Sequence, residues 1–326
     1  MGMMLAIQYI IGQLNSPIEQ LIGFTQQAQD AKISLERLND IHGLDDEEPL
    51  HKEYNHALPN EHSIHIKNLS FTYPGAGNEP VLKNINLQIP QGKVTAIVGM
   101  SGSGKTTLVK LLLRFYDTYK GDIKFGAANG TLEHSPDLIS GGDGGMGTNF
   151  KTISPKFWRS ISGAVMQDSF IFNDNIRKNI TVTDDKVDNE RLLHACKTAN
   201  ILTFIESLPL GFYTKLGAEG NGISGGQKQR LSIARAVYKN PEFIFFDEAT
   251  NSLDANNEKV ILENLQEFFK NRTVIIVAHR LSTVKNADKI IVLDNGEIAE
   301  EGTHAELTLQ RGKYYELVKN QLELGN

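Results

Sequence analysis

The chain has 326 residues, of which 40% are hydrophobic and 22% charged, an ordinary globular composition with room for one large domain and an appendage. Its formal net charge of -6 excludes a generally basic surface of the kind that neutralises phosphates, so no nucleic-acid partner is expected. The single cysteine, Cys196, excludes an intrachain disulfide framework and, beside Leu192 and Leu193, reads as a small buried hydrophobe on a helix.

The first 24 residues carry one charge, Glu19, and lack the basic start and small-residue cleavage site of a signal peptide. They are apolar in runs such as Met3 to Ile7 and Tyr9 to Ile11, but Gln8, Gln13, Asn15, Ser16 and Pro17 interrupt the roughly 20 apolar residues of a free-standing span. The pattern predicts the end of a membrane helix, with Pro17 as a kink or stop. The alternative is an amphipathic helix packed on a soluble partner. Residues 25–41 continue as helix through Ala28, Ala31, Leu35 and Leu38, and a polar linker over 43–60 follows, acidic at Asp45-Asp46-Glu47-Glu48.

From Ser63 the pattern changes to strands, first Ile64 to Phe71, then Val81 to Ile89, then Val94 to Val98. His62 and His65 fall here without cysteine or acidic partners at metal-ligand spacing and read as structural. Beyond them the pattern predicts strand 161–166, helix 190–206, helix 226–239, strand 243–247, helix 257–270, strand 273–278 and strand 289–293. Alternating strands and helices imply an α/β fold with a mainly parallel sheet covered on both faces, and the earlier strands a small antiparallel layer. Residues 126–150 are crowded with glycine and predict a surface loop, of which 131–148 is expected to be dispensable for chemistry.

Gly99-Met100-Ser101-Gly102-Ser103-Gly104-Lys105-Thr106 matches G-x-x-x-x-G-K-[ST] between an apolar strand and a helix running from Thr107 through Leu108, Leu111, Leu112 and Phe115. Gly99, Gly102 and Gly104 let the backbone approach phosphate oxygens, and the helix start adds open N–H donors and the positive end of its dipole. Lys105 then supplies a point charge for the β- and γ-phosphates and Thr106 a hydroxyl for Mg²⁺, with Ser101, Ser103 and Thr107 completing the expected nucleotide contacts. Ile223-Ser224-Gly225-Gly226-Gln227 opens a second helix prepared for an anion, with Ser224 as N-cap and the glycine N–H groups open. The run Phe243 to Phe246 ends in Asp247-Glu248, two carboxylates at a strand end that point in different directions.

This order of motifs resembles the nucleotide-binding domain of ABC transporters over about residues 61–322. The resemblance implies a P-loop NTPase fold with a RecA-like sheet, an antiparallel layer and a helical subdomain, and activity as an ATP hydrolase using ATP and Mg²⁺. It implies that Lys105 and Thr106 form Walker A, Ser224, Gly225, Gly226 and Gln227 the signature, and Asp247 the metal-binding Walker B acid. By the same resemblance Tyr73 stacks on adenine, Gln167 contacts Mg²⁺ and the attacking water, and Glu248 orients or deprotonates that water. Asp254, in Asn251-Ser252-Leu253-Asp254, lies between protomers, and His279 senses the γ-phosphate. The signature begins with Ile223 where leucine is commoner, and the Gly-rich segment before Gln167 is longer than the family usually carries.

The apolar first 42 residues fused to the cassette, the I-S-G-G-Q-K-Q-R signature and Phe170 to Arg177 resemble exporters, most closely bacterial peptidase-containing or bacteriocin-type ones. That implies a second nucleotide-binding domain in a homodimer, the coupling helices of a transmembrane domain touching Glu219, and a place on the cytoplasmic face of the bacterial inner membrane. A soluble non-transport ATPase or a separate importer subunit are the alternatives.

Overall fold

A computed structural model of the chain describes residues 2–44, 46–49, 51–75, 77–126, 147–182, 186–217, 220, 222–249, 253, 255–278 and 281–324. It divides into two units, Met1–Lys52 and Glu53–Asn326. The first is built on α1 (Gly2–His42), 41 residues long and thus about 60 Å at 1.5 Å per residue. The helix runs through Pro17, so the expected stop there is not found. A proline mid-helix removes one N–H from the ladder, and the long helix on either side absorbs that loss. Its large apolar side chains at Met3, Met4, Tyr9, Leu21, Phe24 and Ile41 are exposed. Among the described residues no helix is long and apolar enough to cross a membrane.

In the second unit β1 (Ile64–Phe71), β2 (Leu82–Ile89) and β3 (Val94–Val98) precede α2 (Lys105–Leu112), β4 (Lys120–Phe125) and β5 (Thr148–Asn149). There follow α3 (Pro155–Ile161), β6 (Ser162–Val165), α4 (Ile176–Thr181), α5 (Asn189–Thr198) and α6 (Leu202–Ser207). Then come α7 (Gly225–Lys239), β7 (Phe243–Asp247), α8 (Ala255–Phe269), β8 (Thr273–Val277), α9 (Leu281–Val284) and β9 (Lys289–Asp294). The unit ends with β10 (Glu297–Gly302), α10 (His304–Gln310) and α11 (Lys313–Leu324).

The larger sheet has the order β10-β9-β3-β8-β7-β6, parallel except for β10. The smaller, β2-β1-β4-β5, is antiparallel. Strand β7 shows why the parallel sheet is apolar throughout. Phe243 and Phe245 enter the core shared with the antiparallel layer, whereas Ile244 and Phe246 enter the core under α5, α7 and α8. Trp158 anchors the first core, its ring 4.8 Å from Phe243 and its indole N–H donated to the Leu112 carbonyl at 2.9 Å.

Two expectations change. The helix expected over 190–206 is two helices, because α5 ends where Asn200 turns left-handed at φ 51°. The Gly-rich loop expected over 126–150 is shorter at its far end. Thr148 pairs with Phe125, and Phe150 is buried among the aromatic residues of the core.

Candidate nucleotide site

The loop between β3 and α2 requires its glycines. At Gly99, a Cβ would stand 2.1 Å from the Leu293 carbonyl oxygen. Gly104, left-handed at φ 102°, would press a Cβ to 2.7 Å from Leu82 and caps α2 without a side-chain hydrogen bond. Lys105 is buried and folds back over the loop, its Nζ donating to the carbonyls of Gly99 and Met100, both at 2.9 Å. Burial lowers its pKa, opposed by the nearby carboxylates of Glu248 and Asp247.

At the end of β7, Asp247 is completely buried. Its Oδ1 accepts from the Thr106 hydroxyl at 3.1 Å, while Oδ2 has no hydrogen-bond partner among the described residues. Burial pushes its carboxyl pKa up, against the Thr106 hydrogen bond. A buried carboxylate oxygen without a donor is costly, and beside a hydroxyl it forms the hard-oxygen pair that suits Mg²⁺, so the residues present fit that ion. Glu248 follows in left-handed backbone at φ 51°, which costs an ordinary residue about 1–2 kcal/mol. Its N–H donates to the Val277 carbonyl at 3.1 Å, fastening the end of β7 to β8.

A cavity of about 560 Å³ opens over these groups. It is lined by the loop and helix-start residues Ser101, Gly102, Gly104, Lys105, Thr106 and Thr107 together with Gln167, Glu248 and Val81. The strand ends explain the convergence. β3, β6 and β7 are parallel neighbours or near neighbours whose carboxyl ends deliver the loop, Gln167 and Glu248 to one edge of the sheet.

Other expected residues lie elsewhere. Tyr73 is half-buried, its hydroxyl 3.0 Å from that of Thr107 and its ring edge-on to Phe71 and Tyr116 at 5.0 and 5.3 Å. The Ser103 hydroxyl is buried without a partner among the described residues. Ser224 and Gln227 form a reciprocal capping box on α7: the Gln227 N–H goes to Ser224 Oγ at 3.3 Å and the Ser224 N–H to Gln227 Oε1 at 2.8 Å. The amides engaged are those of Ser224 and Gln227, not those of the glycines expected to stay open, and Ser224, Gly225, Gly226 and Gln227 do not line the cavity. Asp254, His279 and Glu219 lie outside the described residues, as do Asn251 and Ser252. Val81 and Gln229 are close to this chemistry; Val81 carries no motif signal, and Gln229 falls inside the I-S-G-G-Q-K-Q-R run without a role of its own in that reading. Gln229 is a polar residue one helical turn before the buried Ile233, on a buried face of α7, and that mismatch marks it.

A glycine-rich loop feeding a helix from a parallel strand, a buried acid on the neighbouring strand end and an added antiparallel layer define a P-loop nucleotide-binding domain. The ABC transporter family model matches residues 82–251, and the chain belongs to that family and carries its nucleotide-binding ATPase domain. It is 41% identical over 315 residues to the alpha-hemolysin translocation ATP-binding protein HlyB of Escherichia coli O157:H7, covering 96% of this chain and 41% of that protein. It is 40% identical over 325 residues to the leukotoxin translocation ATP-binding protein LktB of Mannheimia haemolytica, covering 99% of this chain and 42% of that one. The chain thus spans about two fifths of the length of these relatives, 41% and 42%. A bacterial Atm1-family ABC exporter with ATP bound superimposes with a TM-score of 0.74 at 34% identity, over 89% of this chain and 47% of that structure.

Proposed function

We propose that this chain is the ATP-hydrolysing part of an ABC exporter, working as a homodimer at the cytoplasmic face of a bacterial inner membrane to drive export of a polypeptide. The names of HlyB and LktB, each a translocation ATP-binding protein for a protein toxin, support the polypeptide cargo. The apolar, exposed α1 supports a continuation from a membrane domain, whose coupling helices would meet the exposed Phe170 and Phe172. The observation that carries the catalytic reading is Asp247, buried beside the cavity-lining Thr106, with one oxygen on that hydroxyl and the other unpartnered among the described residues.

In this reading the triphosphate lies along the loop from Ser101 to Thr107, where the open N–H groups at the start of α2 receive its oxygens. Lys105 exchanges its two carbonyl partners for the β- and γ-phosphates. Thr106, Asp247 and Gln167 would hold Mg²⁺, which when bound neutralises developing charge on the phosphates. Glu248 takes the proton of the attacking water, with His279 at the γ-phosphate and Tyr73 beside the base. Ser224 to Gln227 of a second copy close the site from outside, with Asp254 between the two. Phosphoryl transfer needs positioning and charge stabilisation above all, and these residues supply both.

The test is Glu248→Gln, which keeps shape and removes the proton acceptor. Single-turnover hydrolysis should fall at least about a hundredfold while ATP affinity holds within a few-fold. An unchanged rate would remove Glu248 from the reaction.

A further inference from the structure

Gln229 lies in the second turn of α7, five residues after Ser224, and is buried. Its Nε2 donates to the main-chain carbonyl of Glu248 at 3.1 Å. The N–H of the same residue donates to Val277 at 3.1 Å, so Glu248 is gripped on both sides, by α7 through its carbonyl and by β8 through its amide. This matters because Glu248 sits at φ 51°, a conformation a glutamate leaves readily unless its neighbours hold it. The direction of its side chain follows from that angle, and a carboxylate that must meet a water at the γ-phosphate tolerates little error of aim.

The same helix begins at an exposed N-terminus, one turn before Gln229, where Ser224 and Gln227 lock the first turn. Between Ser224 and Gln229 runs continuous backbone, with the Lys228 N–H on the Ser224 carbonyl at 2.9 Å. The first turn of α7 and the grip on Glu248 therefore belong to one short rigid piece. We propose that Gln229 is a positioning residue that aims Glu248, and that through it the helix touching ATP in the second copy sets the catalytic carboxylate of its own protomer. The inference rests on the roles given above to Glu248 and to the signature helix. It adds a link between the two sites of the dimer: occupation of one is felt at the general base of the other.

The experiment uses the full chain with Mg²⁺ and ATP. Gln229→Met keeps the side-chain length and removes the donor. Turnover should fall about ten- to a hundredfold, with KM and directly measured ATP affinity within about twofold and the Hill coefficient for ATP moving toward one. In the Glu248→Gln background the same substitution should cause no further loss, since a residue that acts only through Glu248 is silent once Glu248 is disabled. Turnover unchanged by Gln229→Met, an additive loss in the double variant, or ATP affinity falling in step with turnover would each overturn the inference. The last outcome would assign Gln229 to the fold of α7 instead. Persistence of turnover in Glu248→Gln alone would overturn the underlying role of Glu248, and so separates the two failures.

Discussion

Asp247 shows how a binding site can work against the stability of its own fold. Its carboxyl is held above the ordinary carboxylate range, chiefly by burial. Between the unfolded and the folded pKa the native state binds more protons than the unfolded chain, so stability is highest below that window and falls as pH rises through it. Above it the nucleotide-free protein carries a buried negative charge with one unpartnered oxygen. Asp247→Asn removes the charge and keeps the shape. The nucleotide-free variant should melt at the same or a higher temperature near neutral pH, and the decline of stability above the carboxylate range should flatten. Its Mg²⁺-dependent ATP turnover should fall at least about a hundredfold, because the ion loses its one charged oxygen ligand on β7. Thermal melts at several pH values, set beside phosphate release, separate the two effects. A less stable variant with intact turnover would give Asp247 a purely structural part.

At the scale of elements, β4 and β5 define what the Gly-rich segment does to the fold. Lys124 faces Asn149 and Phe125 faces Thr148 in an antiparallel ladder, so residues 126 and 147 leave neighbouring strand ends. Such ends join through a two-residue turn. Replacing 127–146 with Asn-Gly should leave ATP affinity and turnover within about threefold, measured by nucleotide titration and phosphate release. Extending the deletion through Phe150 should unfold the domain, since that ring packs on Phe125 and Trp158. The difference between the two marks what was legible in the sequence. Composition located the loop, but its far boundary is set by tertiary packing of Phe150, which no local pattern carries. The same contrast runs through the site. The phosphate loop, the Asp247-Glu248 strand end and the capped start of α7 were legible because turn, strand and cap each need particular residue types within a few positions. The break at Asn200, the two-residue strand β5 and the grip of Gln229 on Glu248 depend on contacts distant in sequence or on a single left-handed residue. Tyr73 falls between these cases. Its aromatic character was visible, whereas its hydroxyl contact with Thr107 required the fold.

For the whole molecule, the placement of the signature poses a question that one copy does not answer. Ser224 and Gly225 are exposed, their capping box is already closed, and neither lines the cavity above Lys105. A helix N-terminus suited to an anion yet outside the cavity of its own phosphate loop would have a use in a two-fold dimer, where it would meet the triphosphate held by the other copy. Each site then needs Lys105 from one chain and Ser224 from the other. Lys105→Ala and Ser224→Arg should each abolish nucleotide trapping as homodimers, the first by removing the phosphate charge and the second by blocking the helix start. A mixed dimer contains one site with both defects and one with neither. Mixing the two inactive variants should therefore restore trapping to about half the wild-type amount per heterodimer, since one of two sites is intact. The measurement is nucleotide retained per dimer after size separation, with heterodimer formation followed independently by differently tagged chains. Heterodimers that form and trap nothing would place both residues in the same protomer's site, and with that the link from Gln229 to a second ATP would fail as well.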